Sequence, residues 1–162
     1  MSDRPEPRVE RDAARVVLLD PTGRILLQEF RVDAERTLWI TPGGGLSPGE
    51  THAEAAIREL REEVGYTAEL GPCIWTRLSE FSFRGIRYRQ SERFFLARAE
   101  HFEPDHSGWD PVEVEIILGH RWWDLAEIEA ANGRAFAPRR LAELLRPLIA
   151  GVVPTEPVDA GI

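Results

Sequence analysis

The chain has 162 residues, 43% hydrophobic and 30% charged, which is ordinary globular usage and fits one domain rather than two. Its formal net charge of −8 argues against a general nucleic-acid-binding role, which needs a basic face. All 20 basic residues are arginine, which excludes a lysine phosphate loop, Schiff-base chemistry and a kinase-type ATP site.

The first twelve residues, MSDRPEPRVERD, are charged and contain proline, with no apolar stretch of a signal peptide, and read as a flexible arm. No apolar run is long enough to span a bilayer. The single cysteine, Cys73, allows no internal disulfide, which fits a reducing, cytoplasmic setting. The expected domain runs over 13–149, followed by a loose tail over 150–162.

A strand is expected over 13–19, closing at Asp20. The turn Pro21-Thr22-Gly23 leads to a second strand, RILLQEF, making a hairpin. A polar loop and the short strand Leu38–Ile40 run into TPGGGLSPGE, rich in glycine and proline. A helix follows. Thr51 and Glu54 have the T-x-x-E capping-box spacing. Ala53, Ala56, Ile57, Leu60 and Val64 recur as an apolar stripe, and Gly65 stands where a helix turns off. Beyond it, YTAEL, CIWTRLSEFSF and IRYRQSERFFLARA read as strands, and 100–112 as a loop. EVEIILGHRWW reads as a strand, DLAEIEAAN as a short helix and PRRLAELLRPLIA as a last helix. The fold class is α+β: a mixed sheet with helices packed on it.

The helix carries Glu59, Glu62 and Glu63 on one flank beside its apolar stripe. Like charges four residues apart repel by roughly 0.2–0.5 kcal/mol. Negative charge near a helix C-terminus costs another ~0.3–1 kcal/mol. Partial burial adds desolvation. An acid-rich helix face is ordinarily solvated surface. Here a glycine loop that lets backbone approach a ligand immediately precedes it. A divalent cation would reverse the sign of all three costs, and Mg²⁺ takes carboxylates together with waters and phosphate oxygens.

Gly44-x5-Glu50-x7-Arg58-Glu59-Leu60-x-Glu62-Glu63-x-Gly65 resembles the signature of the Nudix hydrolases, G-x5-E-x7-R-E-U-x-E-E-x-G-U. Every fixed residue is present at its proper gap. The last position, usually aliphatic, is Tyr66. WITPGG and HRWWDLAEI also look like this family's habits, so the resemblance covers roughly Ala13 to Ile149.

The resemblance implies a single-domain mixed β-sheet sandwiched between helices. It implies cleavage of a pyrophosphate bond in a nucleoside diphosphate linked to another group. It also implies Mg²⁺ or Mn²⁺ held by Glu59, Glu62 and Glu63, with the Gly43 carbonyl reaching the metal. Glu50 would be a further metal or network residue, and Arg58 would orient a glutamate. The general base would be Glu59 or Glu63, or a later glutamate, for which Glu113, Glu115 and Glu92 are the candidates.

Arg31, Arg87 and Arg89 are candidates for a phosphate or sugar. Trp109, in a polar loop, is a candidate for stacking on a base, whereas Trp39 is expected in the core, as is one of Trp122 and Trp123. The four histidines lack zinc-ligand spacing and receive no role. The expected partner is a small nucleotide-derived substrate, with no nucleic-acid polymer and no membrane; a homodimer is left open. TRLSEFSFR lacks the proline often seen in ADP-ribose-cleaving members and the tyrosine often seen in diadenosine polyphosphate members. A nucleoside triphosphate or nucleotide sugar stays open. The competing class is a catalytically silent nucleotide sensor, which would be expected to lose box glutamates. None is lost here.

Overall fold

The computed structural model describes residues 7–131 and 135–161. Its centre is β1 (Val9–Leu19), because alternate residues of that strand serve two cores. Ala14, Val16 and Leu18 point to one face and Val17 and Leu19 to the other, as the twofold period of a strand requires.

β2 (Ile25–Arg31) follows the turn, β3 (Thr37–Ile40) pairs with it, and the glycines form their own short strand, β4 (Gly43–Gly45). Helix α1 (His52–Val64) comes next, then the long hairpin of β5 (Cys73–Phe83) and β6 (Ile86–Arg98). The chain continues through α2 (Pro111–Ile116), β7 (Ile117–Trp123), α3 (Leu125–Ala130), β8 (Phe136–Ala137), α4 (Leu141–Ile149) and β9 (Val158–Asp159).

The sheet order is β8-β3-β2-β1-β6-β5-β9, with β4 beside β1 and β7 beside β2. β1 runs parallel to β6 and antiparallel to β2 and β4, so the sheet is mixed. α1 packs on one face, over Val16, Leu18, Leu26 and Ala97. α3 and α4 pack on the other, where Leu141, Leu144, Leu145 and Leu148 meet Phe94, Trp75 and Trp123. This is the expected sheet between helices.

Several boundaries differ from the sequence reading. β1 starts at Val9, inside the stretch read as an arm, because Val9–Asp12 continue the parallel ladder with Tyr88–Ser91. Residues 66–70 form no strand. Residues 113–116, read as the start of a strand, close helix α2 instead, where Asp110 and Glu113 make a reciprocal capping box with Pro111 in the first turn. The tail is tied down: Val158–Asp159 pair with Trp75–Thr76, and Ala160 is buried in the core. The helix expected over 124–132 ends at Ala130, and Asn132 lies outside the described residues. Trp123 is buried, with Trp39 packed edge-on against it. Among the described residues no helix is long and apolar enough to cross a membrane.

Candidate active site

α1 begins as expected, with the Thr51 hydroxyl accepting from the Glu54 N–H at 3.1 Å. The Glu54 carboxylate bonds the Thr51 hydroxyl rather than its backbone, so the box is incomplete. The helix ends on Gly65 at φ 74°, whose N–H reaches the Arg61 carbonyl.

The buried face of α1 is Ala55, Ala56, Leu60, Glu63 and Val64. Ala53 and Ile57, expected in the stripe, are only half-buried. The face is rotated because β4 lies against the row Ala55–Glu59–Glu63. The bare glycines let the strand come close, and the two carboxylates meet it, Glu59 at Gly44 and Glu63 at the Gly43 N–H. A Cβ at Gly44 would stand 2.7 Å from Glu59 Oε1, and one at Gly43 would stand 2.2 Å from the Ala14 carbonyl oxygen. Only glycine fits either position. Gly44→Ala should therefore displace the Glu59 carboxylate and lower kcat/KM by roughly 100-fold. Steady-state kinetics beside a thermal melt would separate this from simple unfolding.

Arg58 is the hub of the polar cluster. Its Nε and Nη2 donate to the two oxygens of Glu50, each at 2.8 Å, and Nη2 also reaches the Gly45 carbonyl at 3.0 Å. Nη1 donates to Glu59 at 2.9 Å and to Glu62 at 3.2 Å. The Arg58 hydrogen bonds and the Ser47 N–H hold the Glu50 carboxyl down to about 2. With both its oxygens taken, Glu50 in this geometry is an anchor for Arg58.

Glu63 is 3% exposed and accepts the Gly43 N–H at 3.0 Å. Burial, then the neighbouring Glu59 charge, pushes its carboxyl well above the usual range. Burial also raises Glu59, against the pull of Arg58. Helix α2 brings in a third carboxylate. Ligand oxygens of Glu59, Glu63 and Glu113 lie within 4.8 Å of one another. Glu113 is raised as well, by burial first, with Glu59 and Glu62 contributing. Three buried or half-buried carboxylates this close repel one another, and oxygen donors in such a set match a hard divalent cation. Glu62 stands at the rim with a half-exposed side chain.

The other two base candidates lie elsewhere. Glu115 faces solvent, with its side chain 69% exposed and paired with Arg84. Glu92 is 1% exposed and clamped between Arg15 and Arg77, whose Nη1 is 2.7 Å away. Burial would raise its carboxyl, but the two guanidinium charges outweigh that and hold it low. A carboxylate so paired is a poor proton acceptor.

The substrate-binding candidates are scattered. Arg31 is exposed at the end of β2. Arg89 lies close to Glu10 and Glu80, at 3.8 and 3.9 Å, and Arg87 is exposed on the same strand. Trp109 clips the loop before α2 onto α1. Its indole N–H donates to the Glu63 carbonyl at 2.6 Å, and its ring stacks on His106 at 4.1 Å between centroids. The Asp105 N–H caps the Val64 carbonyl, and Gly108 passes so close to the Glu62 carbonyl that a Cβ would stand 2.6 Å away. The Glu63 and Val64 carbonyls at the end of α1 are thus satisfied by the loop that delivers Glu113.

Sequence reasoning missed His106 and His120, which continue this contact. His106 Nε2 lies 2.9 Å from His120 Nδ1, and His120 Nε2 lies 3.2 Å from buried Gln28. Burial, then the His106 charge, lowers His120 to about 3, so it is neutral at ordinary pH. Nothing in the local spacing of these residues announces the contact.

The family model described as NUDIX domain matches residues 9–145. The chain is 35% identical to an RNA pyrophosphohydrolase of Erythrobacter litoralis, covering 66% of this chain and 78% of that protein. It is 42% identical to an RNA pyrophosphohydrolase of Dinoroseobacter shibae, covering 67% and 79%. Among solved structures it resembles a NUDIX-family hydrolase from Clostridium perfringens, with TM-score 0.64, 19% identity and coverage of 85% and 97%. It also resembles the E. coli dihydroneopterin triphosphate pyrophosphohydrolase, with TM-score 0.63, 20% identity and coverage of 90% and 100%.

Proposed function

The chain belongs to the Nudix hydrolase family, and from that premise we propose that it is a metal-dependent enzyme cleaving a pyrophosphate bond of a nucleoside 5′-polyphosphate. The observation that carries this reading is the meeting of Glu59, Glu63 and Glu113 beneath the glycine strand. The donor set fits Mg²⁺ or Mn²⁺: all oxygen, crowded, and raised in pKa by burial and mutual repulsion that a cation would relieve.

Glu59 and Glu63 would hold the ion, with Glu113 beside them and Glu62 at the rim; the Gly43 carbonyl remains the backbone candidate. The bound cation would supply charge neutralisation at the phosphate oxygens and a more acidic water. Arg58, anchored by Glu50, fixes the Glu59 carboxylate. Glu113 is our assignment for the general base. Only one of its oxygens is engaged by the Asp110 N–H, and burial raises its pKa toward the range in which proton transfer is efficient. It would take the proton as water attacks phosphorus in line.

Two substrates fit this chemistry, a free nucleotide and the 5′ end of an RNA. The second option is favoured by the names of the relatives at 35% and 42% identity. A net charge of −8 is compatible with reading a chain end rather than wrapping a polymer. The discriminating assay measures phosphate and pyrophosphate released from nucleoside triphosphates, nucleotide sugars and a 5′-triphosphorylated oligoribonucleotide, with Mg²⁺ or Mn²⁺. Turnover of at least one polyphosphate is expected. Turnover of none would leave the silent nucleotide sensor as the better reading.

A further inference from the structure

Helix α2 carries Glu113 to the carboxylate cluster, yet it has six residues and none of them is buried. Side-chain packing therefore does not fix its place, and its two ends must. At its start, the Trp109 indole donates to the Glu63 carbonyl, and Asp110 caps the helix through the Glu113 N–H. At its end the chain passes directly into β7, where His120 stands opposite Gln28 of β2 in the ladder.

The two ends are tied to each other. Gln28 is 2% exposed and shares a strand face with Leu26, the face on which α1 packs. A polar side chain buried there needs a partner. His120 supplies it, with Nε2 at 3.2 Å from Gln28 Oε1. His120 Nδ1 lies 2.9 Å from His106 Nε2, and the His106 ring stacks on Trp109 with centroids 4.1 Å apart and planes at 24°. A row of contacts thus runs from the sheet, through β7, to the residue that clips the Glu113 loop onto α1.

Hydrogen-bond chemistry gives this row a direction. A neutral imidazole has one donor nitrogen and one acceptor nitrogen. The Gln28 carbonyl oxygen only accepts, so His120 carries its proton on Nε2 and leaves Nδ1 bare. His106 Nε2 is then the donor. Burial, followed by the His106 charge, keeps His120 neutral, so no second proton competes for Nδ1. The His106 ring is held at one edge by this hydrogen bond and on one face by Trp109.

We propose that Gln28, His120 and His106 are positioning residues for the general base: they hold the Trp109 ring and thereby set where Glu113 stands. This rests on the hydrolase reading and the Glu113 assignment above, and adds how that carboxylate is located. The row acts through Trp109 and Asp110 rather than on the reacting atoms. It matters because a catalytic group displaced by about 1 Å can cost on the order of 100-fold in rate.

Nitrogen NMR of the histidines tests the row with no need for turnover. The wild type at neutral pH should show His120 as the neutral Nε2–H tautomer, with its Nδ1 coupled across a hydrogen bond to His106 Nε2. The other His120 tautomer, or no coupling between the two rings, would overturn the row. Kinetics test what the row does. His106→Phe, at an exposed position, keeps a ring against Trp109 and removes the donor. It should lower kcat by roughly 10-fold with KM within about two-fold. His106→Gln, which restores an N–H, should recover most of the loss. In a Glu113→Gln background, His106→Phe should cost less than about two-fold, because the group it positions is gone. An unchanged kcat, a loss carried by KM, no recovery in His106→Gln or an equal cost in both backgrounds would each overturn the positioning role. A wild type that hydrolyses no polyphosphate overturns the hydrolase reading and this role together. If it does hydrolyse one and any of the other contrary results is found, the positioning role alone falls.

Discussion

Glu63→Gln should reduce turnover by roughly 10²–10⁴-fold while leaving the metal-free protein at least as stable as wild type. The two halves of this result come from one cause. The Glu63 carboxylate is buried, its neighbours Glu59 and Glu113 carry the same sign, and the contacts that offset this are the Gly43 N–H and the more distant Arg15 charge. An amide of the same shape keeps the room and removes the charge, so the apo fold is relieved. A cation loses a ligand in the same change. Ordinary core substitutions lower stability and activity together, so opposite signs in melting and in kcat would identify Glu63 as a group held in the fold for a ligand. Glu59→Gln should behave alike, with less relief because Arg58 already pairs with Glu59. Glu115→Gln, at an exposed position, should leave kcat within a few-fold.

Glu92→Ala should destabilise the fold by about 3–5 kcal/mol, the largest stability effect expected for a single polar residue here. It strands two guanidinium groups, Arg15 and Arg77, in a buried setting; Arg77 Nε already lacks a partner. Glu92→Gln should cost less, because an amide still accepts one of the two donors. The sign of the pH dependence follows from the lowered pKa. A carboxyl held below its ordinary value of 4.5 contributes stability that is present above pH 4.5 and lost as pH falls through its folded value. Urea unfolding from pH 7 downward should therefore show the gap between wild type and Glu92→Gln constant to about pH 4.5 and shrinking below it. A gap that widened on acidification would mean that the ion pair is not what Glu92 contributes.

Much of the catalytic side was legible in the sequence because it is local. The row of box glutamates, the glycines ahead of them and the Gly65 stop all lie within one helix and its approach, where spacing alone fixes which residues share a face. The rotation of the buried face toward Glu59 and Glu63 was not legible. It depends on β4 lying against α1, where the Gly43 N–H meets Glu63 and Gly44 abuts Glu59.

The choice between Glu113 and Glu115 was open because positions two apart on a strand share a face, whereas this segment is helical and turns them to nearly opposite sides. The signal was present: Asp110-Pro111-Val112-Glu113 has the capping-box spacing with proline in the first turn, and it marks a helix start. Glu92 could not be assigned from its neighbours. Its partners, Arg15 and Arg77, stand on two other strands, and nothing short of the sheet register brings them together. His106 and His120 likewise meet only in the folded chain, a loop residue against a strand residue.

The central claim is that the cluster of Glu59, Glu63 and Glu113 is a divalent-cation site. Titration calorimetry with Mn²⁺ on the wild type and on Glu63→Gln tests it most directly. Saturable uptake by the wild type, weakened at least 10-fold in the variant, is the result the account predicts. Uptake of equal strength in the two proteins, or none in the wild type even with a nucleotide present, would contradict it.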